Sequence, residues 1–302
     1  MKPLILTGWS IPEFDEPEFA DLTVNFIFRF GWGPLPSPDE LATYLGPGTP
    51  DVKRGHHWSD FATGGNRSKN RDREDLDLSL AEFCQQYETV ELWFDTKPNA
   101  QLQLVWLLDY FRSYPNAVQR LKFRLVDLDM IELDRLGKWS PPAVDVTDKE
   151  LKTASAAWQA YRAPTPEACF DLLGKDLSAL PLFKPVLIDL LEELPSSSTG
   201  LGASEMRMLE LIARGYSLDG LAFGPRPAVA GLDDALRTLD RENLRDRHTA
   251  FLRSELSLTE FGKAVLAHKE DFSRHNPIDC WWGGTHLTND NLWRWNPTLI
   301  KP

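Results

Sequence analysis

Short apolar runs, separated by polar stretches rich in Gly and Pro, dominate the first 140 positions of the chain. Leu4-Ile5-Leu6-Thr7 reads as a short buried strand. Leu22-Thr23-Val24-Asn25-Phe26-Ile27-Phe28-Arg29-Phe30 is β-branched and aromatic, which predicts a second strand over 22–30, ended by Gly31-Trp32-Gly33-Pro34. From Leu76 to Tyr87 the apolar positions Leu76, Leu80, Phe83 and Cys84 recur at helical spacing. Thr89 to Phe94 predicts a third strand and Leu121 to Val126 a fourth. Between them Pro98 suits the first turn of a helix through about Arg112, apolar on most sides and therefore buried. This alternation predicts an α/β N-terminal domain over 1–140 with a mostly parallel, Rossmann-like sheet.

From about residue 141 the pattern becomes helical, so residues 141–302 are expected to form a mainly helical, winged-helix-like domain with a tryptophan-rich tail. Thr147 and Glu150 have the spacing of a capping box, opening a helix to about Arg162. Further helices are expected from Thr165-Pro166, from Pro185 to about Leu194, and over 203–214, 232–244 and 259–266, the last capped by Thr259. Phe251-Leu252 and Leu256-Ser257-Leu258 predict a short ribbon. Pro195 to Gly200 reads as a flexible joint, and the Gly-, Pro- and charge-rich stretch 46–75 as a mobile surface loop or lid.

Composition narrows the function classes. The net charge is −12 over 302 residues. Residues 1–140 carry 15 basic and 22 acidic residues and the remainder 18 and 23, so neither half is a basic platform. Phosphate backbones are held chiefly by Lys and Arg, which counts against nucleic acid as the main partner. No apolar run reaches the ~20 residues of a membrane span, so no membrane partner is expected. Cys84, Cys169 and Cys280 are widely spaced with no C-x-x-C, and read as reduced thiols of a cytoplasmic protein.

The tail is the most distinctive stretch. Four of the eleven tryptophans, Trp281, Trp282, Trp293 and Trp295, fall within 15 positions. Large aromatics add apolar area at low entropic cost, so this segment is expected to dock. Gly283-Gly284-Thr285-His286-Leu287 and Trp293-Arg294-Trp295, with Gly33-Pro34-Leu35-Pro36, Leu92-Trp93-Phe94, Gln101-Leu102, Tyr161-Arg162-Ala163-Pro164 and Leu191-Glu192-Glu193-Leu194-Pro195-Ser196, resemble the bacterial family called domain of unknown function 1835. Leu258, Thr259, Gly262 and Leu266 resemble the closing helix of a winged helix. The resemblance implies an α/β domain joined to a winged-helix-like region, and no reaction. Relatives follow the first strand with Asn-Gly-Asp-Ser; here Thr7-Gly8-Trp9-Ser10 lacks the acid, and Asp95 is the one acid kept after the third strand.

Candidate chemistry gathers at the strand ends, where open α/β sheets bind ligands. Gly8, Trp9, Ser10, Asp95 and Asp127 are the candidate ligand-binding residues. Gly8-Trp9-Ser10 suits a tight turn as well as a phosphate-binding one, and no G-x-G-x-x-G follows. Asp127 and Asp129 could line a site or cap a turn. His56-His57, and His275 with Asp279, Cys280 and His286, lack the close ligand pairs of structural zinc, so no metal and no cofactor is assigned. Arg67 to Arg73 reads as a solvated loop. No nucleophile–base arrangement stands out. The reading is a binding protein for an unknown small molecule or protein. One alternative is a DNA-associated regulator through the winged-helix-like region, although helix 232–247 sets five acids against four arginines. A second is an enzyme on a small phosphorylated or nucleotide ligand.

Overall fold

A computed structural model describes residues 2–8, 19–31, 33–48, 55–63, 77–125, 142–215 and 257–296. Among these the elements run β1 (Leu4–Thr7), β2 (Leu22–Asn25), α1 (Pro38–Leu45), β3 (Ala62–Thr63), α2 (Leu80–Cys84), β4 (Val90–Phe94), α3 (Pro98–Phe111), α4 (Pro115–Val118), β5 (Leu121–Leu125) and β6 (Ala143–Asp145). They continue with α5 (Asp148–Tyr161), α6 (Glu167–Leu173), α7 (Phe183–Glu192), α8 (Ala203–Ala213), α9 (Glu260–Leu266), β7 (Asp279–Trp282) and β8 (Thr285–Thr288). Two compact units are present. One holds residues 1–31, 35–163 and 171–187; the other holds 32–34, 164–170 and 188–302. The expected domain boundary near 140 lies outside the described residues, as do the helix 232–244 and the ribbon before Ser257.

The first unit is α/β. Its six strands are ordered β3-β2-β1-β4-β5-β6. The four central strands are mutually parallel, and β3 and β6 add antiparallel edges. Leu4, Ile5, Leu6 and Val24 of the central strands, with Val90 and Leu92, are buried, the unbroken apolar signature of strands covered on both faces. Glu91 is the charged exception in β4. It lies buried because Arg124 of β5 grips it twice, at 2.6 and 2.9 Å, while the Trp93 indole donates at 2.8 Å. Helix α3 carries ten buried side chains and packs against α5, whose Thr147–Glu150 capping box forms as its spacing predicts.

The second strand is shorter than its pattern suggests, ending at Asn25 rather than Phe30. Residues 26–30 leave the sheet because α3 offers their carbonyls side-chain donors in place of a neighbouring strand. Gln103 Nε2 donates to Phe26 O at 3.1 Å and Phe28 O at 2.7 Å, and Asn99 Nδ2 also donates to Phe28 O. Tyr161 of α5 donates its hydroxyl to Phe30 O at 3.0 Å. The rings of this stretch fill an aromatic cluster: Phe26, Phe28 and Phe30 pack on Trp106 with centroids 5.3–5.7 Å apart, and Phe30 also meets Trp158 at 4.9 Å.

The stretch 46–75 is likewise not loop throughout. Residues 55–63 dock: Trp58 is buried, and Ala62–Thr63 extends the sheet as β3. His57 Nε2 bonds Gly46 O at 2.9 Å and Nδ1 bonds Ser59 Oγ at 2.8 Å, so this buried histidine fastens a turn.

The second unit is organised by the tail. Strands β7 and β8 form a hairpin turning at Gly283-Gly284. Trp282 is buried, and its indole donates to Leu190 O, a last-turn carbonyl of α7, at 2.6 Å. Trp295 is buried against Phe170, rings stacked at 5.6 Å, and its backbone bonds Pro195 O and Ser197 N. The expected flexible joint at Pro195–Gly200 is therefore a fastened turn. Arg294 completes it, donating to Ser196 O and pairing with Asp271 Oδ2, both at 3.0 Å. Gly200 is required there: its φ is +72°, and a Cβ would stand 2.2 Å from Asp271 Oδ1.

Burial raises the pKa of the Asp271 carboxyl, but hydrogen bonds from the Ser273 hydroxyl and backbone, with Arg294, outweigh it and hold the group below its ordinary value. A depressed carboxyl contributes stability that is fully present above its unfolded pKa, about 3.9, and lost as pH falls through the folded one. The melting difference between wild type and Asp271→Asn is therefore expected to be largest near neutrality. It should narrow below about pH 4; a difference independent of pH would refute the assignment.

Candidate functional site

The four parallel strands bring their carboxyl ends to one edge. Thr7 of β1 stands opposite Asn25 of β2 on one side and Trp93 of β4 on the other. The chain leaves β1 for β2, then crosses back over β1 to reach β4. The strand order thus reverses between β1 and β4, where open parallel sheets leave a crevice at their carboxyl ends. Gly8 follows β1 and Asp95 follows β4, so two of the five expected residues flank this crevice. Trp9, Ser10 and Asp127 lie outside the described residues.

Asp95 is buried and sits just before α3. Its Oδ1 accepts from Lys97 N at 2.9 Å, and Oδ2 lies 3.5 Å from Lys97 Nζ. The carboxylate thus closes a turn onto Lys97, the residue that precedes the first turn of α3.

Sequence reasoning missed the helix side chains beneath the edge. Gln101 and Gln103 are buried, 2% and 1% exposed, on a helix that reads as apolar. Gln101 Nε2 donates to Asp95 O at 2.6 Å, tying the end of β4 to α3. Gln103 Nε2 is committed to the carbonyls of Phe26 and Phe28, which fixes the orientation of its amide. Its Oε1 therefore faces Gly8. A Cβ at Gly8 would stand 1.8 Å from that oxygen and 3.4 Å from the Phe94 ring. Gln103 Oε1 is buried and has no hydrogen-bond partner among the described residues. Asn25 Oδ1, at the end of β2, is in the same condition. By strand alternation Asn25 and Gly8 face opposite sides of the sheet, so the two oxygens flank the end of β1. A buried acceptor left unpaired costs about 1–3 kcal/mol, which marks both atoms as places a ligand or ordered water would bond.

A second concavity of about 200 Å³ lies over β4 and β5, walled by Leu92, Phe94, Leu104, Phe123 and Leu180. Its four polar wall residues all have partners: Gln101 bonds Asp95 O, Arg124 bonds Glu91, Glu150 accepts from Thr147 N, and Ser178 accepts from Lys149. It offers apolar contact and no orphaned polar group.

Among the described residues also considered for chemistry, His286, Cys84 and Cys169 have structural settings. His286 Nε2 bonds Asp279 Oδ1 at 2.7 Å under the stacked Trp281 ring, 4.6 Å away. Burial pushes the thiol of Cys84 far up and that of Cys169 to about 12, so both stay protonated and inert. The described residues hold no group of three His, Cys, Asp or Glu placed to ligate a metal, and no helix long and apolar enough to cross a membrane. Compared with protein-family models, curated proteins and solved structures, the chain finds no match in any of the three.

Proposed function

We propose that the first unit is a Rossmann-like domain that binds a small molecule at the carboxyl edge of its sheet, between β1 and β4. Gly8, Asp95 and Gln103 form its described part, and Trp9, Ser10 and Asp127 follow β1 and β5 in the chain. The observation that carries this reading is Gln103 Oε1: a buried, orientationally fixed acceptor without a partner, at the place where the strand order reverses. The edge groups are a carboxylate, two amides and a lysine, which hold and orient a ligand. No nucleophile hydrogen-bonded to a base is found among them, which favours binding over catalysis. The resemblance to domain of unknown function 1835 rests on its motifs, and the winged-helix-like reading on Leu258, Thr259, Gly262 and Leu266.

The test is a thermal-shift screen of the full chain against nucleosides, nucleotides, sugars and amino acids. Anything that binds only the folded state raises the melting temperature with concentration. At least one compound is expected to do so in wild type and to lose its effect in Gln103→Met. A hit that survives that substitution would place binding elsewhere, and a screen without hits would sink the proposal.

A further inference from the structure

We infer that the group held at this edge is the hydroxyl-bearing part of a neutral ligand, a sugar ring, and not a phosphate; this rests on the edge being the binding site. Gln103 Oε1, its amide oriented by the carbonyls of Phe26 and Phe28, can only accept, so what meets it must donate. A phosphate monoester near neutrality offers chiefly acceptor oxygens and negative charge, and leaves such an atom unpaired. The amino end of α3, a usual anion position, begins beside the buried Asp95 carboxylate, which accepts from Lys97 N just before the helix. An arriving anion would meet a buried carboxylate of the same sign. A cation fares little better, since Lys97 Nζ stands 3.5 Å from Asp95 Oδ2 and compensates that charge. A neutral donor remains, and a ring hydroxyl supplies one without a net charge to desolvate.

Gly8 adds a steric constraint at the same place. Any side chain there would occupy the space in front of Gln103 Oε1. Glycine at this turn therefore leaves room for the Gln103 amide oxygen beside the strand end, a close approach that only a residue without a Cβ permits.

The experiment measures affinities of the full chain for D-ribose, adenosine, 2′,3′-dideoxyadenosine, adenosine 5′-monophosphate and inorganic phosphate, by calorimetry and thermal shift. Adenosine is expected to bind at least about tenfold tighter than its dideoxy analogue, the cost of leaving one buried acceptor unpaired. Ribose should bind, inorganic phosphate should not, and the monophosphate should gain nothing over the nucleoside. Asp95→Asn removes the negative charge while keeping an acceptor for Lys97 N. In that variant the monophosphate should gain on adenosine. Tighter binding of phosphate or the monophosphate to wild type would overturn the inference while leaving the site at the edge. Equal affinity for adenosine and its dideoxy analogue would overturn it too. Failure of all five probes, with hits for other compounds in the wider screen, would overturn the ligand class alone. Failure of the whole screen would remove the site with it.

Discussion

A chain cut before Asp279 is expected to lose the cooperative melting of its second compact unit. The cut removes both strands of the β7–β8 hairpin and the two residues, Arg294 and Trp295, that fasten the 195–200 turn from the tail. Trp282 and Trp295 are 6% and 4% exposed. Large-to-small changes at buried aromatics cost about 3–5 kcal/mol each, comparable to much of the stability of a small domain. The single changes grade the effect. Trp282→Ala removes apolar packing and the donor to Leu190 O. Trp295→Ala leaves Phe170 without its stacked partner, while Trp295→Phe should be far milder, because the indole N–H it deletes is buried without a partner. Trp281→Ala should cost least, since that ring is 40% exposed on the hairpin surface. Thermal unfolding followed by tryptophan fluorescence and circular dichroism reads the series. A truncated chain that melts like the full one would show that the tail is dispensable.

The elements that could be read from the sequence are those whose signal is local. β1 is an apolar run and β4 one interrupted only by Glu91, because both strands are covered on both faces. Thr147 and Thr259 mark helix starts because a cap acts within four residues. What failed depends on distant partners. Phe26 to Phe30 has strand composition, yet its carbonyls are taken by Gln103, Asn99 and Tyr161, which stand 71 to 131 positions away. β3 has two residues and β6 three, too few to show a period. Pro195 to Gly200 has the composition of a linker and is held by Trp295 and Arg294 from the far end of the chain. The site divides in the same way. Gly8 and Asp95 are legible because strand ends are where open sheets bind. Gln101 and Gln103 are not, because a glutamine amid leucines in a helix reads as a core position until its partner is known.

Gly8→Ala tests the link between that hidden residue and the edge. The φ of Gly8 lies outside the left-handed region, so alanine is not excluded by backbone strain. With free space around it, the substitution would stabilise the protein by about 0.4–1 kcal/mol through the unfolded chain's lost freedom. Instead the new methyl meets Gln103 Oε1 at 1.8 Å. That oxygen ends a flexible side chain, but the amide is held by Phe26 O and Phe28 O, so it cannot swing away without breaking those bonds. The expected result is a destabilisation of about 1–3 kcal/mol, the cost of overpacking. Gln103→Ala alone should cost a similar amount, about 1–3 kcal/mol, because Phe26 O loses its side-chain donor, whereas Phe28 O keeps Asn99. The double variant then decides the matter. If the methyl and the amide compete for one space, Gly8→Ala adds little once Gln103 is gone, and the two costs fall short of additivity by at least about 0.5 kcal/mol. Strict additivity, or stabilisation by Gly8→Ala alone, would mean that the oxygen does not stand in front of Gly8. The acceptor on which ligand selection depends would then be aimed elsewhere.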